Sequence, residues 1–262
     1  MSTMVVEQPF GIGRVIGQTF VIFFRHFLSM GGMAILLLAA PQIILFLFAV
    51  SAGSGDLGPV SIAPRMGLAY LAYFVFTFVL WGAVSFATFR ALSGNPVSVL
   101  QALRKGLGKF FIVWAISIVA AVGTAAGVVL LVIPGIIVAI IWCLAVPASV
   151  VENTGVFTSL ARSVDLTRGY RWSIFGLGLI YVVLSYAFVA VLMVILVAVA
   201  LPVGEPAAAP SAYTTAIGGV IGALLANSFM TVLLMIGLSV LYAELRRAKE
   251  GIGADAIAQV FD

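Results

Sequence analysis

FLSMGGMAILLLAAPQIILFLFAV, the stretch from Phe27 to Val50, is apolar throughout and contains no charged side chain. A transmembrane helix needs about 20 consecutive, mostly apolar residues to cross the hydrocarbon core of a bilayer. A cleavable signal peptide has an apolar core of only about 7–15 residues. Because this stretch is longer than that, we expect it to stay in the protein as a membrane anchor.

Five further apolar stretches follow, and the same length criterion predicts that each spans the membrane. The fourth predicted span is the shortest: Pro134-Gly135 breaks the helix before it and Pro147 lies inside it, so residues 134–151 form either a full span or one arm of a re-entrant hairpin. Connectors rich in small residues and proline are predicted at Ser51 to Arg65 and at Pro202 to Ser211. The later spans are predicted at about Met66 to Phe89, Phe110 to Ile133, Ile136 to Val151, Trp172 to Leu201 and Tyr213 to Tyr242.

The composition points to the same class of protein. Apolar residues make up 63% of the chain and charged residues 8%, whereas soluble domains average about 45–50% and about 25%. Strands of a membrane β-barrel alternate apolar and polar residues over about ten positions, and these long unbroken runs do not. We therefore predict an all-α integral membrane protein with six transmembrane helices.

The distribution of lysine and arginine predicts the orientation. If the chain before span 1, between spans 2 and 3, between spans 4 and 5 and after span 6 lies on one side, that side holds twelve of the thirteen Lys and Arg residues, and the other holds only Arg65. Short loops rich in Lys and Arg stay in the cytoplasm. Both termini are therefore predicted on the cytoplasmic side of a bacterial cytoplasmic (inner) membrane.

Three of the predicted cytoplasmic segments resemble one another, which indicates an internal repeat. Each has apolar residues at steps of three or four, the period of an amphipathic helix, and each ends with a basic residue beside an aromatic one. The predicted unit is an interfacial amphipathic helix, a basic–aromatic hinge and a transmembrane hairpin. One membrane domain, 1–262, then contains three units at about 10–93, 94–152 and 153–245 and a cytoplasmic tail at 246–262. The predicted apolar faces are Ile12, Ile16, Phe20, Phe23 and Phe27; Val99, Leu100, Leu103, Leu107 and Phe110; and Val156, Phe157, Leu160 and Val164.

Basic residues on these helices are the candidate binding site. An amphipathic helix at the membrane interface directs its basic face to the headgroups, and each Lys or Arg near an anionic leaflet adds roughly 1 kcal/mol of attraction. Alternatively, the helices only connect spans and fill the grooves between them. The residues predicted to contact headgroups are Arg104, Lys105, Lys109, Arg162, Arg168 and Arg171.

A structural ion pair is predicted at the same side. Glu152 follows the fourth span, and we expect it to pair with Arg90 or Arg162 and so fix the third unit to the bundle. Glycines four residues apart, as at Gly123 and Gly127, allow close approach of helices. That spacing serves either internal packing or the face of a homo-oligomer.

The sequence offers little material for catalysis. It has one histidine, His26, and one cysteine, Cys143, and it lacks a P-loop and an H-E-x-x-H pair. Metal-dependent hydrolysis needs several His, Asp or Glu ligands. An embedded enzyme would require Glu152, Asp165 and His26 to converge from different units. We therefore expect no enzymatic activity, no metal, no cofactor and no nucleic-acid partner.

One region carries a family resemblance. Ile133-Pro134-Gly135, Trp142, Leu144 to Pro147, Glu152, Arg162-Ser163, Leu166 to Gly169 and Trp172, with Leu241 to Arg246 near the end, form a pattern. This pattern resembles the bacterial glycerophosphoryl diester phosphodiesterase membrane domain family. The resemblance concerns the membrane part alone, so it implies no phosphodiesterase activity. Members of that family often carry a charged residue just before the tryptophan, where this chain has Ile141.

Taken together, the sequence favours a non-enzymatic protein with a membrane-organising, accessory or scaffold role. Its basic interfacial helices would contact anionic lipid or another membrane protein complex. The alternative is a lipid or small-molecule transporter with a path between the units near Pro134 and Pro147. A polar cavity at mid-depth would favour the transporter, and a tightly packed interior of Gly and Ala would favour the scaffold.

Overall fold

The protein is helical wherever the computed structural model describes it, at residues 10–53, 59–200 and 212–251, and these ranges contain no strand. A π-helical segment, Ile35–Ala39, lies between α2 and α3. The helices are α1 Ile12–Arg25, α2 Phe27–Ala34, α3 Ala40–Gly53, α4 Pro59–Leu92, α5 Val99–Leu130, α6 Val132–Trp142, α7 Ala145–Val151, α8 Val156–Thr167, α9 Arg171–Ala200 and α10 Ala212–Glu250.

Six helical stretches are long and apolar enough to span a membrane, as the sequence predicts. The first combines α2, the π-helical segment and α3, and the fourth combines α6 and α7. The all-helical class and the six membrane-length stretches are therefore confirmed. The stretches are Phe27–Val50, Pro64–Leu92, Val99–Leu130, Val132–Val151, Arg171–Leu192 and Gly218–Glu250.

One predicted connector is largely helical where it is described, and that prediction was wrong. The connector predicted at Ser51 to Arg65 is shortened from both sides, because α3 continues to Gly53 and α4 begins at Pro59. A proline is well tolerated at the first position of a helix, where its missing N–H would have no partner. The predicted tail, 246–262, begins as the last turn of α10. Residues 54–58, the connector at Pro202 to Ser211 and residues 252–262 lie outside the described residues.

The first span contains a local change of helical register before Pro41. The amide of Ala40 bonds to the carbonyl of Ile35, five residues earlier, instead of four. Pro41 has no N–H, and its ring crowds the carbonyl of the preceding turn. A π-type turn relieves such crowding by widening the helix, so the span continues through the proline as one helical, apolar stretch.

The predicted hinges occur at only two of the three places. The chain breaks at His26, between α1 and α2, and again between α8 and α9, where Gly169 has a φ of +91° that favours glycine. At Lys109–Phe110 there is no hinge, because α5 runs unbroken from Val99 to Leu130. Nothing in that segment removes a backbone hydrogen bond, so the helix simply continues into the third span.

Helix α1 lies lengthwise against the C-terminal half of α10, and the two helices run in opposite directions. Arg14 meets Glu244, Thr19 lies beside Gly237, and the Phe23 ring meets Phe229 edge-on. An interfacial helix lying flat on the bilayer would not follow a transmembrane helix in this way. Helix α1 is therefore a packed part of the bundle.

Close helix packing depends on glycine at two contacts. A Cβ on Gly106 of α5 would lie 2.8 Å from the backbone nitrogen of Ala83 in α4, and a Cβ on Gly127 would lie 2.8 Å from Gly135 in α6. No side chain fits at such distances, so glycine permits both contacts. The spacing of Gly123 and Gly127 thus serves internal packing, since Gly123 also faces the Trp142 ring.

The fourth span returns to the level at which the third begins. The Lys109 side chain in α5 donates a hydrogen bond to Asn153, directly after α7. Between them, the chain turns at Leu131. The sequence predicted the break at Pro134, but that proline lies in the first turn of α6. Each arm is about 30 Å long at 1.5 Å per residue, which matches a bilayer core. This length favours a full span over a re-entrant arm.

The described helices are most tightly buried at one end of the bundle. The side chains of α7 and of residues 79–89 of α4 are nearly all buried, and so are most of those of residues 232–245 of α10, whereas α9 is the most exposed of the six membrane-length stretches. We call this the charged end, because Arg14, Glu152, Arg162 and Glu244 meet there.

Candidate functional site

An ionic cluster centred on Arg162 links three helices at the charged end. The Arg162 Nε donates to Glu152 Oε1 at 2.6 Å, and its Nη2 pairs with Glu250 at the end of α10. Glu250 also accepts from Arg246 Nε at 2.9 Å, one turn earlier on α10. The predicted pairing of Glu152 with Arg162 is thus present. Arg90 lies in the last turn of α4, and its share in this pair stays a prediction.

Glu152 has a second donor that the sequence did not reveal. The hydroxyl of Tyr242 donates to Glu152 Oε1 at 2.7 Å, across 90 residues of chain. The Tyr242 ring is fully buried and packs edge-on against Phe89 of α4. One carboxylate at the end of α7 therefore ties together α8, α10 and, through the tyrosine ring, α4.

The electrostatics of this cluster hold Arg162 in its charged form. Burial by itself lowers the pKa of Arg162, but hydrogen bonds from Arg162 to Glu152 and Glu250, together with their charges, outweigh that effect and raise it. A guanidinium held by two carboxylates presents little net charge to an outside ligand. Arg162 is therefore part of the internal framework.

Further ion pairs and hydrogen bonds connect the remaining helices at this end. Arg14 Nη1 lies 2.8 Å from Glu244 Oε1, so the start of α1 is fixed to the end of α10. Lys249 donates to the carbonyl oxygen of Asp165 and lies over the Tyr170 ring. These contacts hold the ends of the helices together at the charged end.

The predicted headgroup residues fall into two groups. Lys109 and Arg162 have partners inside the protein, Asn153 for the first and two carboxylates for the second, and their contact with headgroups stays a prediction. Both lie where a neighbouring helix end supplies an acceptor within reach. The other four are exposed: Arg104, Lys105, Arg168 and Arg171.

The buried residues of the candidate helices coincide only in part with the predicted apolar faces. Helix α8 buries Leu160, as well as Ser159, Ser163 and Thr167, and leaves Phe157 exposed. In α1 the buried residues are Val15, Thr19, Ile22 and Phe23. Small hydroxyl side chains let helices approach closely and can bond to backbone groups. Hydrophobicity alone therefore identified only part of the face that packs inside the protein.

Ser163 of α8 bridges the break between α6 and α7. Its hydroxyl donates to the carbonyl oxygen of Ile141 at 2.6 Å and accepts from the amide of Leu144 at 3.1 Å. A helix break inside a membrane leaves backbone groups without partners, and these must be satisfied by the protein. One buried serine here supplies both a donor and an acceptor.

An apolar groove of about 480 Å³ opens between α1, α6, α9 and α10, next to the charged end. Its two hydroxyl groups are already engaged: Thr19 donates to the carbonyl oxygen of Val15 at 2.7 Å, and Tyr181 donates to that of Met230 at 2.7 Å. No sequence pattern indicated this groove, because it forms between helices that are far apart in the chain. Its walls include Ile16, Phe20, Ile140, Cys143, Ile174, Gly178 and Leu238.

Groups suited to catalysis are dispersed in the described part of the chain, which contains no cluster of three His, Cys, Asp or Glu able to hold a metal ion. Burial, and then the charge of Arg25, lower the pKa of His26. That histidine lies at the end of α1 opposite Arg14, away from Glu152. The three residues that an embedded enzyme would need are therefore not brought together.

Comparison with known proteins gives one result that bears on identity. No curated protein and no solved structure matches this chain. The resemblance to the glycerophosphoryl diester phosphodiesterase membrane domain family stays a prediction. A family model described as a domain of unknown function, DUF7847, matches residues 97–245, from the start of α5 to the last turns of α10. Because the match covers more than half of the chain, the protein belongs to the DUF7847 family.

Proposed function

We propose that this protein is a non-enzymatic, membrane-organising or accessory protein of the bacterial cytoplasmic membrane. Both termini would lie in the cytoplasm, and the charged end would bind anionic lipid headgroups or a membrane protein complex that carries them. The observation behind this proposal is the set of exposed cations beside exposed apolar side chains at that end. Arg104, Lys105, Arg168 and Arg171 are the residues concerned.

The outward stripe of α5 has the character of a membrane-interface surface. Leu100, Leu107 and Phe111 are each more than 60% exposed, and Arg104 lies on the same stripe, one turn from Leu100 and from Leu107. A long basic side chain can lie along acyl chains while its charged head reaches the phosphates. The same pairing recurs where Arg171 adjoins Trp172, which is 86% exposed.

The charge balance supports an anionic partner. The predicted cytoplasmic side carries twelve Lys and Arg residues against seven acidic ones, Glu7, Glu152, Asp165, Glu244, Glu250, Asp255 and Asp262. Three of the seven, Glu152, Glu244 and Glu250, pair with arginines. The difference, twelve minus seven, leaves five positive charges that attract a negative surface within a Debye length.

The proposal includes the three-unit organisation. Helices α1 and α8 each precede a pair of membrane-length stretches, and residues 99–110, the first three turns of the third stretch, would be their counterpart in the second unit. The resemblance to the phosphodiesterase membrane domain family fits this proposal, because it concerns a membrane part without a catalytic domain.

The alternative is a transporter with a path between the units. The surfaces of this protein suit it only if the transported molecule is a lipid. The groove offers no free polar group, and the α4–α5 and α5–α6 contacts are closed by glycine packing. A polar solute would have to leave its hydration shell without compensation there. If the protein moves anything, a lipid suits these surfaces better than a polar small molecule.

The test compares lipids retained by two purified proteins. Native mass spectrometry from bilayer discs of mixed phosphatidylglycerol and phosphatidylcholine would follow a variant with Arg104, Lys105, Arg168 and Arg171 all changed to Gln. The matched control is Arg65→Gln, which removes an exposed arginine from the opposite end. We expect the four-residue variant to lose most of its phosphatidylglycerol enrichment and the control to keep it.

Purification at natural abundance decides between the two kinds of partner. A stoichiometric protein that stays bound, and is lost in the four-residue variant, supports the accessory role. Equal enrichment of both lipids in all variants, with no bound protein, contradicts the proposal.

A further inference from the structure

We propose that the apolar groove between α1, α6, α9 and α10 holds an acyl chain of an anionic phospholipid whose phosphate lies beside Arg171. This inference rests on the proposed function and identifies a specific lipid site within it. It differs from general attraction to the membrane surface, since it requires one lipid to occupy one place.

The groove is chemically suited to a hydrocarbon chain. Its lining is almost wholly apolar, and its two hydroxyls, on Thr19 and Tyr181, already donate to backbone carbonyls of the protein. A polar ligand would find no partner, whereas a hydrocarbon chain requires none. The groove is partly open, and its α9 wall is held to α10 by the hydrogen bond from Tyr181 to the Met230 carbonyl.

The size of the groove suits a ligand thinner than a helix. Its volume is about 480 Å³, and its α9 wall runs from Ile174 to Leu184. A helix is about 10 Å in diameter and would bring its own polar backbone and side chains, whereas an acyl chain is much thinner and wholly apolar. We therefore favour a lipid over a partner helix.

The mouth of the groove supplies charge complementarity. Val15 and Leu241 line the groove at the side of the charged end. Arg14 is next to Val15 on α1, Glu244 lies one turn after Leu241 on α10, and the two pair with each other. Arg171 is exposed and lies one turn before Ile174, which lines the groove. Arg247 lies 3.9 Å from Glu244, so two arginines face that carboxylate. With the exposed Arg171 at the start of α9, this charge fits a phosphate.

Two glycines of α9 give a matched pair of variants. Gly178 lines the groove, and a Cβ there would meet no atom within 4 Å, so a larger side chain can grow into the groove. Gly176 has equally open space, but it does not line the groove. Gly178→Leu should therefore displace a bound chain, and Gly176→Leu should not, although both add the same side chain to the same helix.

The experiment uses photo-crosslinking in reconstituted bilayers. The full-length protein is mixed with phosphatidylglycerol that carries a diazirine in its acyl chain, and crosslinked peptides are identified by mass spectrometry. We expect crosslinks on groove residues of α1, α6, α9 and α10, with at least a five-fold loss in Gly178→Leu and little change in Gly176→Leu. Arg171→Gln should reduce the yield, and the phosphatidylcholine analogue should crosslink the groove weakly.

Each other outcome overturns the inference in a definite way. Crosslinks spread evenly over lipid-exposed residues, and unchanged in Gly178→Leu, show that no lipid resides in the groove. Equal yields from both lipids reject the phosphate at Arg171. If gel filtration shows that Gly178→Leu does not fold, the same crosslinking comparison is made with Gly178→Val and Arg171→Gln. Arg104→Gln should lower general phosphatidylglycerol enrichment without affecting groove crosslinks, so failure of this site and failure of the proposed function remain distinguishable.

Discussion

At the residue scale, Glu152 is the side chain on which most of the charged end depends. It accepts from Arg162 and from Tyr242, and its side chain is only 19% exposed. Such bonds contribute most when the surroundings are partly dry, because removing one partner leaves the other desolvated and unpaired.

We predict that Glu152→Gln lowers thermal stability in detergent by an amount equivalent to about 2 kcal/mol, the usual contribution of a hydrogen bond to a charged group. The amide retains the shape of the carboxylate but loses the charge that Arg162 needs. Asp165→Asn is the control, since Asp165 is an exposed carboxylate on α8. A Glu152→Gln protein that melts with the wild type in a fluorescence-detected thermal scan would show that the pair is not structural.

The ion pair was predictable because charges are scarce in this chain. Glu152 follows an apolar span, and only a few arginines could reach it. The Tyr242 bond was not predictable, because a tyrosine near the end of a span has the same sequence pattern whether it contacts lipid or a carboxylate.

At the element scale, the break between α6 and α7 depends on a third helix. Ser163 bonds to backbone groups on both sides of the break. Inside this span the sequence offers only Pro147 as a residue that disrupts a helix, but the break lies before it, at Cys143 and Leu144. A turn built from a distant serine has no local signal, so sequence reasoning could not locate it.

Ser163→Ala should loosen this break while the fold persists. The amide of Leu144 would lose its acceptor, and hydrogen exchange at Leu144 and its neighbours should become at least ten-fold faster, because exchange reports local opening. Thr158→Ala on the exposed face of α8 is the control. Unchanged exchange in Ser163→Ala would mean that packing around α7 alone closes the break.

The orientation of helix faces shows the limit of periodicity. A period of 3.6 correctly predicts helices over α1 and α8, yet the apolar side it selects includes only part of the buried side, such as Phe23 and Leu160. In a bilayer, exposed positions are themselves apolar, as Phe157 and Leu107 are. The hydrophobic contrast that identifies a buried face in soluble proteins is therefore weak here.

At the scale of the whole molecule, length and composition predict the number of spans but not how they pack. Six stretches follow from apolar length alone. The convergence of α4, α7, α8 and α10 at one end depends on small residues and a few charges from distant parts of the chain, such as Gly106 and Arg14. These side chains are individually ordinary, so their contacts appear only once the bundle is assembled.

The asymmetry of charge across the molecule leads to a test of orientation. In a Cys143→Ser background, which removes the one native thiol, single cysteines would replace Arg65 at the start of α4 and Ala161 on α8; both positions are exposed. Because basic loops stay in the cytoplasm, we expect a membrane-impermeant maleimide to label Arg65→Cys in intact spheroplasts and Ala161→Cys only after the membrane is opened. Removing Arg65 itself strengthens the charge bias, so it cannot cause an inversion. The reverse labelling pattern would place the charged end outside, away from the anionic cytoplasmic leaflet, and would remove the electrostatic basis of the proposed lipid contact.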